Sequence, residues 1–231
     1  MKSLVYSDSL FSKEPVGITN GTLTLIEQPS VLVDPEIAKH HYSHKTTKNR
    51  FLSFSVNGDK GYLQLGYGIR PHIKHTISSL ITKDNFCEFD RMWLSDELPK
   101  YSETQVISLL ISYLKQRYHQ IKFVITYADE SAGNVGTIYK ASNAISIGSV
   151  PVDFYLLPSG ERIHPVSMYH RHKTRAWNFL TTRYPGIRHL KGQFKQYRYL
   201  YILDKKLRKQ YENERTCHDE PSHNSTPRGF L

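Results

Sequence analysis

The chain has 231 residues, 39% of them hydrophobic, at a mean hydropathy of −0.51, enough apolar material for one buried core or a core with an extension. No run of about 18 apolar residues exists to cross a bilayer, and the opening MKSLVYSDSLF puts Ser, Asp and Ser where an apolar export signal would lie, so neither a membrane span nor secretion is expected. The formal net charge is +10, and residues 169–215 alone hold 13 Lys and Arg against 3 Asp and Glu, so the rest of the chain sums to zero.

In chain order, residues 21–28 (GTLTLIEQ) alternate as a strand does, and residues 35–41 (PEIAKHH) read as a short helix with Asp34 as its cap. Residues 51–56 (FLSFSV) and 62–69 (YLQLGYGI) flank Asn57-Gly58, a strong hairpin signal, and should pair antiparallel. Residues 86–94 (FCEFDRMWL) make the next strand. Ser102-Glu103-Thr104-Gln105 has the form of a capping box, and Val106, Ile107, Leu110, Ile111 and Leu114 continue at helical spacing. The β-branched Val124, Ile125 and Thr126 then form a buried strand that closes at Asp129. Gly133, Asn134 and Gly136 break it, and residues 137–142 form a short helix that projects Tyr139 to one side. Residues 151–157 and 162–166 flank Pro158-Ser159-Gly160-Glu161 as a second hairpin. Residues 1–166 are thus expected to be the core domain and 167–215 a basic, aromatic-rich helical extension packed on it. Residues 216–231 are expected to be a disordered tail. Cys87, in a strand, and Cys217, in a polar segment, read as free thiols of a reducing compartment.

The basic block interleaves its charges with Tyr169, Trp177, Phe179, Tyr184, Phe194, Tyr197, Tyr199, Tyr201 and Tyr211, a mixture suited to phosphate contacts and stacking on unpaired bases. The expected phosphate contacts are Arg171, Lys173, Arg175, Arg183, Arg188, Lys191, Lys195 and Arg198; the alternative is a solvated basic face. Tyr139 is placed to donate a proton to a leaving group, or else is a packing tyrosine. Asp129, at a strand end, is suited to binding or deprotonating an amine, or to capping the next turn. His41 and Tyr42 would complete such a pocket. His40, His41 and His44 have a spacing that two imidazoles use on a transition metal such as iron, chance exposure being the other reading.

The order of elements over residues 21–166 resembles the GNAT acyltransferase superfamily. This implies an α/β (α+β) fold with a mixed, mostly antiparallel central sheet flanked by helices. In that superfamily the loop after the fourth strand holds the cofactor pyrophosphate on backbone amides at a helix start. The resemblance assigns Arg91, Trp93, Leu94, Ser102, Glu103 and Thr104 to the cofactor. The loop itself reads SDELPKY, with two acids and no glycine, where the superfamily pattern is glycine-rich. Ile138-Tyr139-Lys140 is similar to the late tyrosine that protonates a departing thiolate.

A narrower resemblance rests on His41-Tyr42-Ser43, on Arg91-Met92-Trp93 with Asp96 and Pro99, on Ser102-Glu103 and Ala128-Asp129, and on Gly136-Thr137-Ile138-Tyr139-Lys140-Ala141-Ser142-Asn143. In these the chain resembles the Mom family of phage DNA-modification proteins. That resemblance implies a transferase placing a carbamoylmethyl group on the exocyclic amine of adenine in DNA, in the cytoplasm of the infected host cell, to protect the phage genome from restriction. It implies acetyl-CoA or an aminoacyl-tRNA as donor and DNA, with tRNA in the second case, as partner. The carbon is attached by alkylation, which gives metal chemistry an independent motive. Two other classes suit the same residues: a non-catalytic nucleic-acid-binding protein that keeps the fold, and an acetyltransferase acting on a protein or small amine.

Overall fold

Alternating apolar residues give ten strands: β1 (Ser3–Tyr6), β2 (Pro15–Thr19), β3 (Thr24–Glu27), β4 (Arg50–Val56), β5 (Gly61–Tyr67), β6 (Phe86–Leu94), β7 (Phe123–Asp129), β8 (Ile145–Leu156), β9 (Arg162–Ile163) and β10 (Arg188–Ile202). Among the described residues six α-helices accompany them: α1 (Ser30–His40), α2 (Ser102–Arg117), α3 (Thr137–Ala141), α4 (Pro165–His172), α5 (Trp177–Arg183) and α6 (Lys205–Asp219). This is a computed structural model, and it describes residues 1–7, 15–67 and 77–219, with the side chains of 216–219 excepted.

The strands form one sheet in the order β1-β2-β3-β4-β5-β6-β7-β10-β8-β9, antiparallel throughout except for the parallel pair β6/β7. The expected mixed, mostly antiparallel sheet flanked by helices is therefore the observed one. α2 buries Val106, Ile107, Leu109, Leu110, Tyr113 and Leu114 against one face, with Leu63, Leu65, Cys87 and Val124 in the same cluster. On the opposite face Phe86, Phe123, Ile125 and Leu200 pack with Tyr211 of α6. A third cluster, Tyr155, Leu157, Ile163, Met168, Leu180 and Ile187, seats α4 and α5 against the far end of the sheet. None of the described helices is long and apolar enough to cross a membrane.

Four expectations are corrected. Asp34 does not cap α1, which starts at Ser30 and carries Pro35 inside it. Instead the Asp34 carboxylate pairs with Arg50 and accepts from the Gln64 amide (2.6 Å), tying α1 to β4 and β5. The capping box before α2 is not made: Tyr101 occupies the cap at φ 67°, and the Ser102 hydroxyl donates to the Pro99 carbonyl (2.6 Å). The extension is not helical throughout, since its longest element is the 15-residue strand β10, lodged between β7 and β8. The segment read as a tail begins as helix, because α6 runs to Asp219, while residues 220–231 lie outside the described residues. Residues 68 and 69 of the second hairpin strand also lie outside them.

Candidate active site

The site begins where two strands part. β6 and β7 pair from Phe86/Phe123 to Phe89/Thr126 and no further, although both continue. On its other side β6 faces β5 with one residue too many, Leu65 opposite Phe89 and Gln64 opposite Arg91, so Asp90 is the extra residue of a bulge. A bulge bends and twists its strand, which draws β6 away from β7. The Thr126 hydroxyl closes the fork by donating to the Phe89 carbonyl (2.9 Å).

A cleft of two lobes opens beyond the fork. The first, about 380 Å³, is lined by His41, Tyr42, Met92, Trp93, Leu94 and Glu103, and by the loop and helix from Gly133 to Tyr139. The second, about 510 Å³, is lined by Ser43, Lys45, Glu88, Arg91, Asp129, Val152, Phe154, His164 and Gln196. Tyr42, Asp90 and Tyr127 belong to both. Side chains alternate along a strand, so Asp129 and Tyr127 lie on one face of β7 while Thr126 lies on the other. Tyr139 is on the Thr126 face, hydrogen-bonded to that hydroxyl and packed on the rings of Phe89 and Tyr199. The carboxylate and the phenol thus approach the gap from opposite faces of the sheet.

Burial sets the protonation states. Tyr139 is raised above the ordinary phenol value chiefly by burial, so it holds its proton at neutral pH. Tyr42, hydrogen-bonded to Asn134, is raised by burial and then by the charge of Asp129. Asp90 is raised by burial, with Thr47 donating to its carboxylate (3.0 Å). His41 is only 5% exposed and is pushed down to about 4, by burial first and then by the charges of Arg91 and His44. Its Nδ1 accepts from the Ser43 backbone N–H (3.2 Å), which leaves the proton of the neutral ring on Nε2. Asp129 spends one oxygen on the Ser131 N–H (2.8 Å), so it does cap the next turn while lining the second lobe.

The loop between the lobes is held by a glycine. Gly136 sits at φ +75°, and a Cβ there would overlap the ring of Tyr199, whose hydroxyl donates to the Val135 carbonyl (2.7 Å). β10 therefore forms the floor on which α3 and Tyr139 rest.

The three histidines do not converge. His40 stacks on Trp93 (4.1 Å between ring centroids) and lies 3.4 Å from the Glu36 carboxylate, and the His44 Nδ1 donates to the Ala38 carbonyl (3.2 Å). Among the described residues no group of three metal-ligating side chains is assembled. The described residues give the metal reading of His40, His41 and His44 no support.

Of the residues assigned to the cofactor, Trp93, Leu94 and Glu103 line the first lobe and Arg91 the second. Ser102 is buried and Thr104 donates to the Tyr101 carbonyl (3.0 Å). Trp93 and Leu94 form walls of the first lobe. A separate hollow at the start of α2 is lined by Lys100 together with the acidic Asp96 and Glu103.

Of the eight residues assigned to phosphates, Arg171, Lys173, Arg175, Arg183, Arg188, Lys191 and Lys195 are exposed. Arg171 is paired with Glu161 (2.9 Å), and Arg198 is half-buried and donates to the Ile147 carbonyl (3.2 Å). Tyr169, Trp177 and Phe179 are exposed as stacking would need, whereas Tyr199, Tyr201 and Tyr211 belong to the core. Asp90, His164 and Gln196 line the cleft and Thr126 closes the fork, positions that no sequence motif singled out.

A profile of the Mom protein family matches residues 31–220. The chain belongs to the Mom family. Methylcarbamoylase mom of Escherichia phage Mu is 32% identical over 176 residues, which cover 75% of this chain and 72% of that protein. Among solved structures, spermidine N-acetyltransferase from Vibrio cholerae, in complex with CoA and spermine, superposes on this Mom-family chain at a TM-score of 0.44 and 10% identity. The match covers 81% of this chain and 99% of that one. NAA60 of Arabidopsis thaliana, in complex with acetyl-CoA, gives 0.47 and 9%, over 78% and 99%.

Proposed function

We propose that this protein is a transferase that adds a carbamoylmethyl group to the exocyclic amine of adenine in DNA, and so shields phage DNA from host restriction. The observation that carries the reading is the fork between β6 and β7, where Asp129 reaches the gap from one face of the sheet and Tyr139 from the other. Membership of the Mom family and the name of the phage Mu relative support it.

The adenine amine is a weak nucleophile because its lone pair is drawn into the ring, so alignment and proton removal must carry much of the rate enhancement. Asp129 takes the N6 proton as the N6–carbon bond forms. The bond from that carbon to its leaving atom breaks in the same step, and Tyr139, protonated at neutral pH, supplies a proton to that atom. His41 presents an Nε2–H donor beside Tyr42, suited to a carbonyl oxygen of the transferred group. The donor must present the methylene carbon to N6, because attack on the thioester carbonyl of an acyl-CoA would leave an amide and not a carbamoylmethyl group; the first lobe, walled by Trp93 and Leu94, is where that donor would bind.

Mass spectrometry of nucleosides from cells expressing the protein tests this. Deoxyadenosine heavier by one carbamoylmethyl group is the expected product. Unmodified DNA together with an acetylated polyamine or lysine would assign the fold to a different acceptor.

A further inference from the structure

We infer that the second lobe is the nucleobase pocket and that Gln196, beside Asp129, selects adenine there by pairing with its N6 and N7 edge. This rests on the transferase reading above and says how that site recognises its substrate.

Gln196 of β10 and Asp129 of β7 are directly opposed across an antiparallel pair, so both side chains leave the same face of the sheet and both line the second lobe. Among the described residues, the Gln196 amide has no hydrogen-bond partner, and the Asp129 carboxylate has one, the Ser131 N–H on Oδ1. Two adjacent polar groups therefore face the lobe unspent: an amide with a donor and an acceptor, and a carboxylate oxygen that only accepts. That is the complement of adenine's N6–N7 edge. The amide Nε2 donates to N7, Oε1 accepts one N6 proton, and Asp129 accepts the other, which is the proton the transfer must remove.

The remaining walls suit a flat aromatic ring. Tyr42, Tyr127 and Phe154 line the lobe, and Phe154 is held edge-on by Phe194 (5.6 Å) and His164 (5.9 Å). At about 510 Å³ the lobe lies within the roughly 300–1,000 Å³ usual for small-ligand sites. Lys45 lines it, and Lys45 and Arg175 both act electrostatically on His164, so cationic groups stand where the phosphates flanking an extruded nucleotide would pass. Guanine would set its O6 against the Asp129 carboxylate and the Gln196 oxygen, two acceptors facing a third, and cytosine offers no N7.

The test is competition binding of the full-length protein to duplex oligonucleotides that differ at one unpaired position: adenine, 7-deazaadenine or guanine. No donor is needed for binding. Wild type should prefer adenine over 7-deazaadenine on the order of tenfold, and Gln196→Ala should bind the two alike while keeping its overall salt dependence. Equal binding of adenine and 7-deazaadenine by wild type overturns the assignment, with no variant required to fold. Discrimination that survives in Gln196→Ala overturns it as well. A preference for adenine without any modified nucleoside in cells would support the pocket and reject the transferase reading. Modified nucleoside without discrimination at N7 would do the reverse.

Discussion

Tyr139 shows how neighbours fix one side chain at the fork. Burial keeps its proton on, Thr126 fixes its hydroxyl at the fork, and Tyr199 supports its ring. Removing only the hydroxyl, in Tyr139→Phe, should lower the rate of base modification by roughly 10²–10⁴ while DNA affinity stays the same; loss of affinity in step with rate would make the residue structural. His41 gives a prediction about pH. Its folded value of about 4 lies below the ordinary 6.5, so between these values the unfolded chain takes up a proton that the folded one refuses. Stability should therefore fall as pH drops from 6.5 to 4, by about 3 kcal/mol at most. Asp90, whose carboxyl is raised, works in the opposite sense, and the difference between wild type and His41→Gln in unfolding midpoint isolates the histidine. A parallel pH profile in both proteins would show that the ring is not buried neutral. Asp129, Tyr139, His41 and Tyr42 were legible in the sequence because each stands at an element's end or on a short helix. Asp90 was not, since a bulge arises from the register of two strands and leaves no local mark.

Among the elements, β10 decides the shape of the site, and it was hidden by its own charges. Its basic and aromatic residues suggest a nucleic-acid surface, but Tyr197, Tyr199 and Tyr201 recur at every second position, the period of a strand. That period, weighed ahead of composition, would have marked this segment as a strand instead of a helix. β10 also explains Gly136, which needs both a left-handed backbone and space over Tyr199. Gly136→Ala should destabilise by roughly 2 kcal/mol or more from the backbone conformation and the ring overlap together, lowering Tm by about 4 °C or more. Thermal unfolding checks this, and an unchanged Tm would mean that the loop is free of the ring. The hairpins and α2 were legible because Asn57-Gly58 and the helical spacing after Val106 are local signals. The start of α2 was misread because the Ser102 hydroxyl finds the Pro99 carbonyl before any helix amide.

At the scale of the whole molecule, the excess charge lies in residues 169–215, and of these Arg175 acts electrostatically on His164, which lines the second lobe. Neutralising two exposed residues, in Arg175→Gln with Lys191→Gln, should weaken DNA binding about equally for all sequences and reduce the salt slope by about 2. An unchanged slope would place the DNA elsewhere. Arg198 is a poor choice for the same test, because its guanidinium holds the Ile147 carbonyl and its loss would also disturb β8 and β10. The charge block was the plainest global signal in the sequence. How it meets the cleft was not, because that depends on β10 crossing between β7 and β8.

The central claim is that adenine is modified at the fork between β6 and β7. It is tested most directly by the modified fraction of deoxyadenosine in DNA from cells making wild type, Asp129→Asn or Tyr139→Phe at equal levels. The account predicts a heavier deoxyadenosine with wild type and its near-complete loss in both variants, which should still bind DNA. Modification at the wild-type level in both variants would contradict it and move the chemistry away from the fork.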